Sequence, residues 1–308
     1  MDEATRVRYR AWVRRRIFKR IIMPSMLLLV LLIGAFSGII SFGSNDEEVD
    51  NIDISYDEVV DLNESLTQVV SGEPTYEDFD FSTYNEDAIV EIGAAYLNSY
   101  EVLVNKVFRL PEDYSPEDLV LPDVLSAWGH DNTNHRMRET AARALEDMFN
   151  AAYEEEGLIL WVASGYRSFE EQEIKHQYFV DTHGREEAEI MSARPGHSEH
   201  QTGLVIDVTS ASVGALLTEE FANEPEGSWL RDNAHKFGFI IRYPYGKMNL
   251  TGVGYEPWHI RYVGVSAATY ISENDIVLEQ YIFPRPSGCN RKDKDISSSF
   301  DMVNHNIL

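Results

Sequence analysis

Ser198-Glu199-His200-Gln201-Thr202-Gly203-Leu204-Val205-Ile206-Asp207-Val208 sets a run of polar residues against an apolar one with a single carboxylate inside it. Gly203 permits a tight bend, and residues 204–208 read as a strand. Asp207 is then expensive to bury unless something cationic compensates it, and a metal ion would do so. A second stretch, Glu256-Pro257-Trp258-His259, carries a glutamate three residues before a histidine. Pro257 disfavours helix at Glu256, so this is not the helical HExxH arrangement. The two side chains share a site only if the strand turns or bulges between them.

The neighbouring segments supply a scaffold. Residues 239–243 and 259–263 are strand-like, the former stopped by Pro244 and Gly246, and 158–163 is a short apolar run ending before Ser164-Gly165. Met137, Ala141, Ala144, Leu145, Met148, Phe149 and Ala152 recur at helical spacing and predict a helix over 136–155. Ser168-Phe169-Glu170-Glu171 has the form of a capping box, opening a helix to about Thr182 with Gly184 suited to a left-handed exit. Helices first, then several short strands, give an α+β fold: a small antiparallel sheet flanked by helices.

Charge divides the 308 residues into sections. Residues 1–20 hold eight basic side chains against Asp2 and Glu3, and 21–42 run without a charge. That stretch is long enough for a single transmembrane helix, and the flanking arginines put the N-terminus inside and the body outside. A cleaved signal peptide is the alternative, since Ala35-Phe36-Ser37 offers a small-x-small site. The sections expected are a basic cytoplasmic segment (1–20), a membrane anchor (21–42), an acidic stalk (43–87), a folded domain (88–282) and a polar tail (283–308). A net charge of −26 argues against a grip on nucleic-acid phosphates. With Cys289 the only cysteine, disulfides within the chain and CxxC zinc sites are excluded, so any metal is held by histidine and carboxylate.

Of nine histidines, His176 and His183 belong to a charged helix and its exit, and His130, His135, His235 and His305 sit in polar contexts that fix nothing. His200, Asp207 and His259 make a reasonable three-ligand zinc set with a fourth position left for water, served by a separate carboxylate as base. The competing reading of the same residues is a buried salt-bridge network with no metal.

Four ordered motifs then carry a resemblance. They are Ser164-Gly165-Tyr166-Arg167-Ser168; Ser192-Ala193-Arg194-Pro195-Gly196-His197 running into the 198–203 turn; Phe237-Gly238-Phe239-Ile240-Ile241-Arg242-Tyr243-Pro244; and Tyr255-Glu256-Pro257-Trp258-His259-Ile260-Arg261-Tyr262-Val263-Gly264. Together they resemble the VanY-like D-alanyl-D-alanine carboxypeptidases, zinc peptidases sharing a core with lysostaphin-type enzymes and hedgehog domains. Leu103-Val104-Asn105-Lys106 and Leu110-Pro111-Glu112-Asp113-Tyr114 resemble the family's opening segment, and the likeness covers about 98–282. Val205 departs from the pattern, which usually has alanine there.

The resemblance implies one zinc per chain on His200, Asp207 and His259, with Glu256 as general base. It implies that Arg167 binds substrate and steadies the transition state, and that Gln172, Ser198 and Trp258 line the pocket. Arg167 directly precedes the capped helix, so its guanidinium and the helix start favour an anion at one place. The expected substrate is a peptidoglycan stem peptide, and the expected location is the outer side of the cell membrane. D,D-carboxypeptidase action is the first reading; L,D-carboxypeptidase action on tetrapeptide stems and a non-catalytic wall-binding module are the others.

Overall fold

The apolar run around Asp207 folds as a strand in which every residue is buried, hydrogen-bonded to a neighbour on each side. The computed structural model describes residues 80–85, 89–127 and 133–283. The expected basic segment and membrane span, most of the stalk and all of the tail but Phe283 lie outside the described residues. Among the described residues, no helix is long and apolar enough to cross a membrane.

In chain order, β1 (Val90–Glu91) and β2 (Phe108–Arg109) form a short parallel pair, and β3 (Leu119–Val120) and β4 (Met137–Arg138) a short antiparallel one. Helix α1 (Glu139–Glu156) leads to β5 (Trp161–Ser164), then helices α2 (Phe169–His183) and α3 (Arg185–Met191). Strand β6 (Val205–Thr209), helix α4 (Pro225–Asn233), β7 (Phe239–Tyr243) and the short α5 (Met248–Thr251) follow. Strand β8 (Glu256–Tyr262) and helices α6 (Val265–Glu273) and α7 (Leu278–Ile282) complete the fold. The main sheet has the order β5-β6-β8-β7, antiparallel throughout, as the strand-like runs led one to expect.

Helix α1 buries Ala141, Ala142, Leu145, Met148, Phe149 and Ala152 against Val162, Ile206, Val208 and Ile260 of the sheet. Each large aliphatic side chain so buried contributes about 1.5–3 kcal/mol over leaving it in water. A second cluster joins Ile240 and Val263 to Ala267, Ile271 and Leu278, and takes in Phe81. The sheet is therefore covered on both faces, which is why its strands have no exposed side.

Several expectations need correction. Helices and strands interleave rather than follow one another, because α4, α6 and α7 pack between and after the later strands. Helix α1 begins at Glu139, not 136, because Met137 and Arg138 are extended: they pair with β3, and the Arg138 N–H donates to the Gly203 carbonyl at 2.8 Å. Gly184 has a positive φ (85°) but an extended ψ (161°), so it breaks α2 and opens α3 at once rather than closing a left-handed turn.

Strand β8 starts at Glu256, three residues earlier than the apolar run suggested, and crosses Pro257. Proline is tolerated because β6 pairs only with residues 259–261 of β8, so no ladder hydrogen bond to β6 is lost at 257. Opposite it, the β7 register shifts between Ile241 and Tyr243, and Tyr243 pairs with Glu256. Here is the irregularity that lets Glu256 and His259 share a site.

Candidate metal centre and active site

Alternation along two neighbouring strands assembles the centre. On β6, Ile206 and Val208 turn to the main core, leaving Asp207 on the other face. On β8, Trp258, Ile260 and Tyr262 pack on that core, leaving His259 and Arg261 on Asp207's face. Asp207 and His259 are direct cross-strand partners, with His259 Nδ1 at 3.2 Å from Asp207 Oδ1.

His200 arrives from the turn Glu199–Thr202, which ends at Gly203 with φ 67°. The positive φ is what calls for glycine here; a Cβ would also crowd Leu119 Cδ2 at 2.8 Å and Arg138 Cγ at 3.1 Å. The turn is buried and fastened from outside: Gln201 Nε2 donates to the carbonyls of Pro111 and Tyr114 at 3.0 and 3.1 Å. His200 Nδ1 lies 2.6 Å from the Gly165 carbonyl and donates to it, which leaves Nε2 bare and 3.5 Å from Asp207 Oδ2. Donor atoms of His200, Asp207 and His259 lie within 4.8 Å of one another.

The donor set fits a divalent metal. Asp207 Oδ1 is buried and accepts no hydrogen bond, a costly state for a carboxylate oxygen unless a cation takes it up. Two neutral imidazoles and one carboxylate with space for water are a zinc-type set. In the absence of a cation, burial pushes His200 well below its usual value. Burial also works against a charged His259, yet the carboxylates of Asp207 and Glu199 on either side of its ring hold it up at about 9. Asp207 is held down at about 2: burial opposes its charge, but His200 and His259 outweigh it. The metal-free alternative, a buried salt bridge, is thus what these groups form alone, and the orphaned Asp207 oxygen is what that arrangement fails to satisfy.

Glu256 Oε2 lies 3.5 Å from His259 Nδ1 at the edge of the cluster. Burial raises its pKa, the direction that suits a base working near neutrality. Arg167 follows Ser164 at the end of β5; its Nη2 donates to Ser164 Oγ at 3.1 Å and its Nη1 to Gln172 Oε1 at 2.8 Å. Gln172, buried on α2, donates in turn to Ser192 Oγ and the Ala193 carbonyl at 3.1 and 2.6 Å. The capping box predicted at Ser168 and Glu171 forms and fixes the helix start beside Arg167. A cavity of about 280 Å³ opens on this side, lined by Asn134, Ala163, Ser164, Tyr166, Arg167, Glu171 and Ile174. None of the three metal-binding candidates lines it; Arg167 joins cavity and centre.

Ser198 is buried immediately before the turn that carries His200. Trp258 packs on the core side of β8, on the face opposite His259. Of the remaining histidines, His135 is fully buried with Nε2 at 3.0 Å from the Ala163 carbonyl, and His176 Nδ1 lies 3.0 Å from the Ser192 carbonyl.

Sequence reasoning missed the support behind His259. Glu199 Oε1 accepts from Arg242 Nε at 2.8 Å and Arg261 Nη1 at 2.6 Å, all three side chains being fully buried. Glu279 forks onto Arg242 at 2.9 and 2.6 Å. The remaining Glu199 oxygen faces His259 Nε2. A signal existed: Arg242 and Arg261 are charges inside apolar strands, as Asp207 is.

A family model for VanY, D-alanyl-D-alanine carboxypeptidase, matches residues 134–265. The "Putative carboxypeptidase YodJ" of Bacillus subtilis is 47% identical over 179 residues, 58% of this chain and 65% of that protein. The "Bifunctional D-Ala-D-Ala dipeptidase and D-Ala-D-Ala carboxypeptidase VanXYC" of Enterococcus gallinarum is 32% identical, across 58% of this chain and 91% of its own length. The solved structure of the LdcB LD-carboxypeptidase superposes with a TM-score of 0.60 at 42% identity, covering 68% of this chain and 96% of that one. The chain spans 56% to 65% of the length of three curated relatives it matches.

Proposed function

The chain belongs to the VanY D-alanyl-D-alanine carboxypeptidase family, and from that premise we propose that it is a zinc-dependent D,D-carboxypeptidase that removes the terminal D-alanine from peptidoglycan stem peptides. One observation carries the reading: a buried His200–Asp207–His259 cluster with an unsatisfied carboxylate oxygen has a second carboxylate, Glu256, beside it. A binding module has no use for that base.

His200 Nε2, His259 Nδ1 and Asp207 would hold one zinc ion per chain. The ion, when bound, polarises a water and lowers its pKa towards about 7. Glu256 takes the proton of the attacking water and returns it to the departing D-alanine amine. Arg167, held by Ser164 and Gln172, presents its guanidinium to the oxyanion, the kind of contact that often contributes most to catalysis. Gln172 acts through Arg167 and Ser198 is assigned to the wall of the peptide pocket, whereas Trp258, packed on the core face of β8, belongs to the scaffold and not to the pocket.

L,D-carboxypeptidase action on tetrapeptide stems is the second reading, favoured by the likeness to the LdcB structure. Mass analysis of defined pentapeptide and tetrapeptide muropeptides after digestion separates the two. Loss of one alanine from the pentapeptide alone supports the first; loss from the tetrapeptide alone supports the second. Intact substrates of both kinds would sink the enzyme reading.

We assign the catalytic domain to 88–282 and the anchor to 21–42, with the body on the outer side of the cell membrane. The uncharged stretch after eight basic residues supports this topology. Protease added to intact cells should remove the body and spare an N-terminal tag; digestion of the tag from outside would invert it.

A further inference from the structure

Resting on the carboxypeptidase reading, we infer that Lys175 is a specificity-determining residue whose ammonium pairs with the free C-terminal carboxylate of the peptide being trimmed. Lys175 stands on α2, three residues after Gln172 and four after Glu171, and so on the same helical face. Gln172 holds Arg167, and Glu171 lines the cavity with Ile174, the residue before Lys175. The side chain is half-buried, yet its ammonium makes no hydrogen bond or ion pair with any described residue. It is also within electrostatic reach of Arg167, Asp207 and Glu256.

Two cations therefore act electrostatically on the centre, and only one is engaged by neighbours. Both terminal nitrogens of Arg167 already hold neighbours, Ser164 and Gln172. The acids that could offset Lys175 are Asp207 and Glu256, and a divalent metal on Asp207 would remove most of that offset. An unpaired ammonium within electrostatic reach of a half-buried guanidinium calls for an anion, and the anion that distinguishes a peptide end from a peptide interior is its terminal carboxylate. Burial, then repulsion from Arg167, lowers the Lys175 pKa to about 8. The group is strained as a cation until an anion reaches it.

The probes are an acetylated stem peptide ending in D-alanine and the same peptide ending in D-alaninamide. Equilibrium binding is measured in a Glu256→Ala background, where neither peptide is turned over, and kinetics with Glu256 intact. Lys175→Gln should weaken binding of the acid about ten- to a hundredfold, the scale of one charged hydrogen bond, and shrink the acid-over-amide preference by the same factor. That loss should appear in KM more than in kcat, and Lys175→Arg should restore most of it. An unchanged preference, or equal losses on acid and amide, would overturn the inference. A protein that binds the acid through Lys175 but never cleaves it would fell the carboxypeptidase reading instead.

Discussion

Glu199 Oε2 lies 3.6 Å from His259 Nε2, and neither buried atom has a hydrogen-bond partner. The carboxylate's other oxygen is pinned by Arg242 and Arg261, so its direction is set by the core. Facing Glu199, His259 keeps a proton on Nε2 and presents Nδ1 to Asp207, the tautomer a metal needs. Glu199→Gln keeps an acceptor for the arginines but turns an amide N–H towards Nε2, which favours the wrong tautomer. Zinc affinity, read by competition with a chelator dye, should fall about 10–100-fold. Unchanged affinity would mean His259 is oriented by something else.

Removing a ligand should have a different signature from removing the base. His200→Ala and Asp207→Ala are expected to lose the one zinc per chain, by elemental analysis of dialysed protein. Metal-free wild-type protein that retains activity would end the zinc assignment.

Glu256→Ala should leave zinc in place, because the side chain sits beside the cluster and outside the donor set. Turnover of a stem peptide should drop by about 10²–10⁴, the usual scale for a positioned acid–base group. Arg167→Ala should weaken both binding and rate if, as proposed, its charge meets the substrate before and during the chemistry. Loss of zinc from Glu256→Ala, or near-normal turnover, would reverse the roles given to Glu256 and its neighbours.

Chelator-treated protein should lose stability between pH 6.5 and 8. His259, raised from 6.5 to about 9, contributes stability that is fully present below 6.5 and lost as pH rises through 9. Across this window the loss is about 1.5 kcal/mol, from about 1.4 kcal/mol per unit. The window stops at 8 because Lys175, lowered to about 8, then gains stability with rising pH and opposes the trend. Zinc-loaded protein, with His259 already neutral, should show no such slope. Parallel melting curves for the two forms across this range would contradict the assignment of His259.

The centre was legible in sequence where a residue broke its local pattern. Asp207 interrupts an apolar strand, and Ser168 with Glu171 spells a helix start, so both could be read from a few neighbours. Glu199 could not: it lies in a polar turn with no local signature, and its arginine partners are 43 and 62 residues away. Lys175 was hidden for the same reason, its meaning coming from groups on other elements. The early start of β8 was obscured by Pro257, whose cost depends on where β6 stops pairing, a fact of the sheet alone. Helix α4 carried a cue in Pro225 at its first turn, a position that favours proline.

Every residue of β6 is buried, so no wet face tells this strand from its neighbours which way up to lie. Hydrophobicity therefore indexes the sheet poorly, and a slip of one residue would reverse the direction of each side chain at little apolar cost. The charged positions do the indexing. Asp207 meets His259 and Arg261 meets Glu199 only in the native alignment, and a shifted ladder would strand all four without partners. The centre thus serves as the alignment mark of its own scaffold. Asp207→Leu is expected to give a chain that collapses and pairs its strands in more than one frame, seen as duplicated amide resonances for β6. A single native frame in that variant would show that the alignment is written elsewhere.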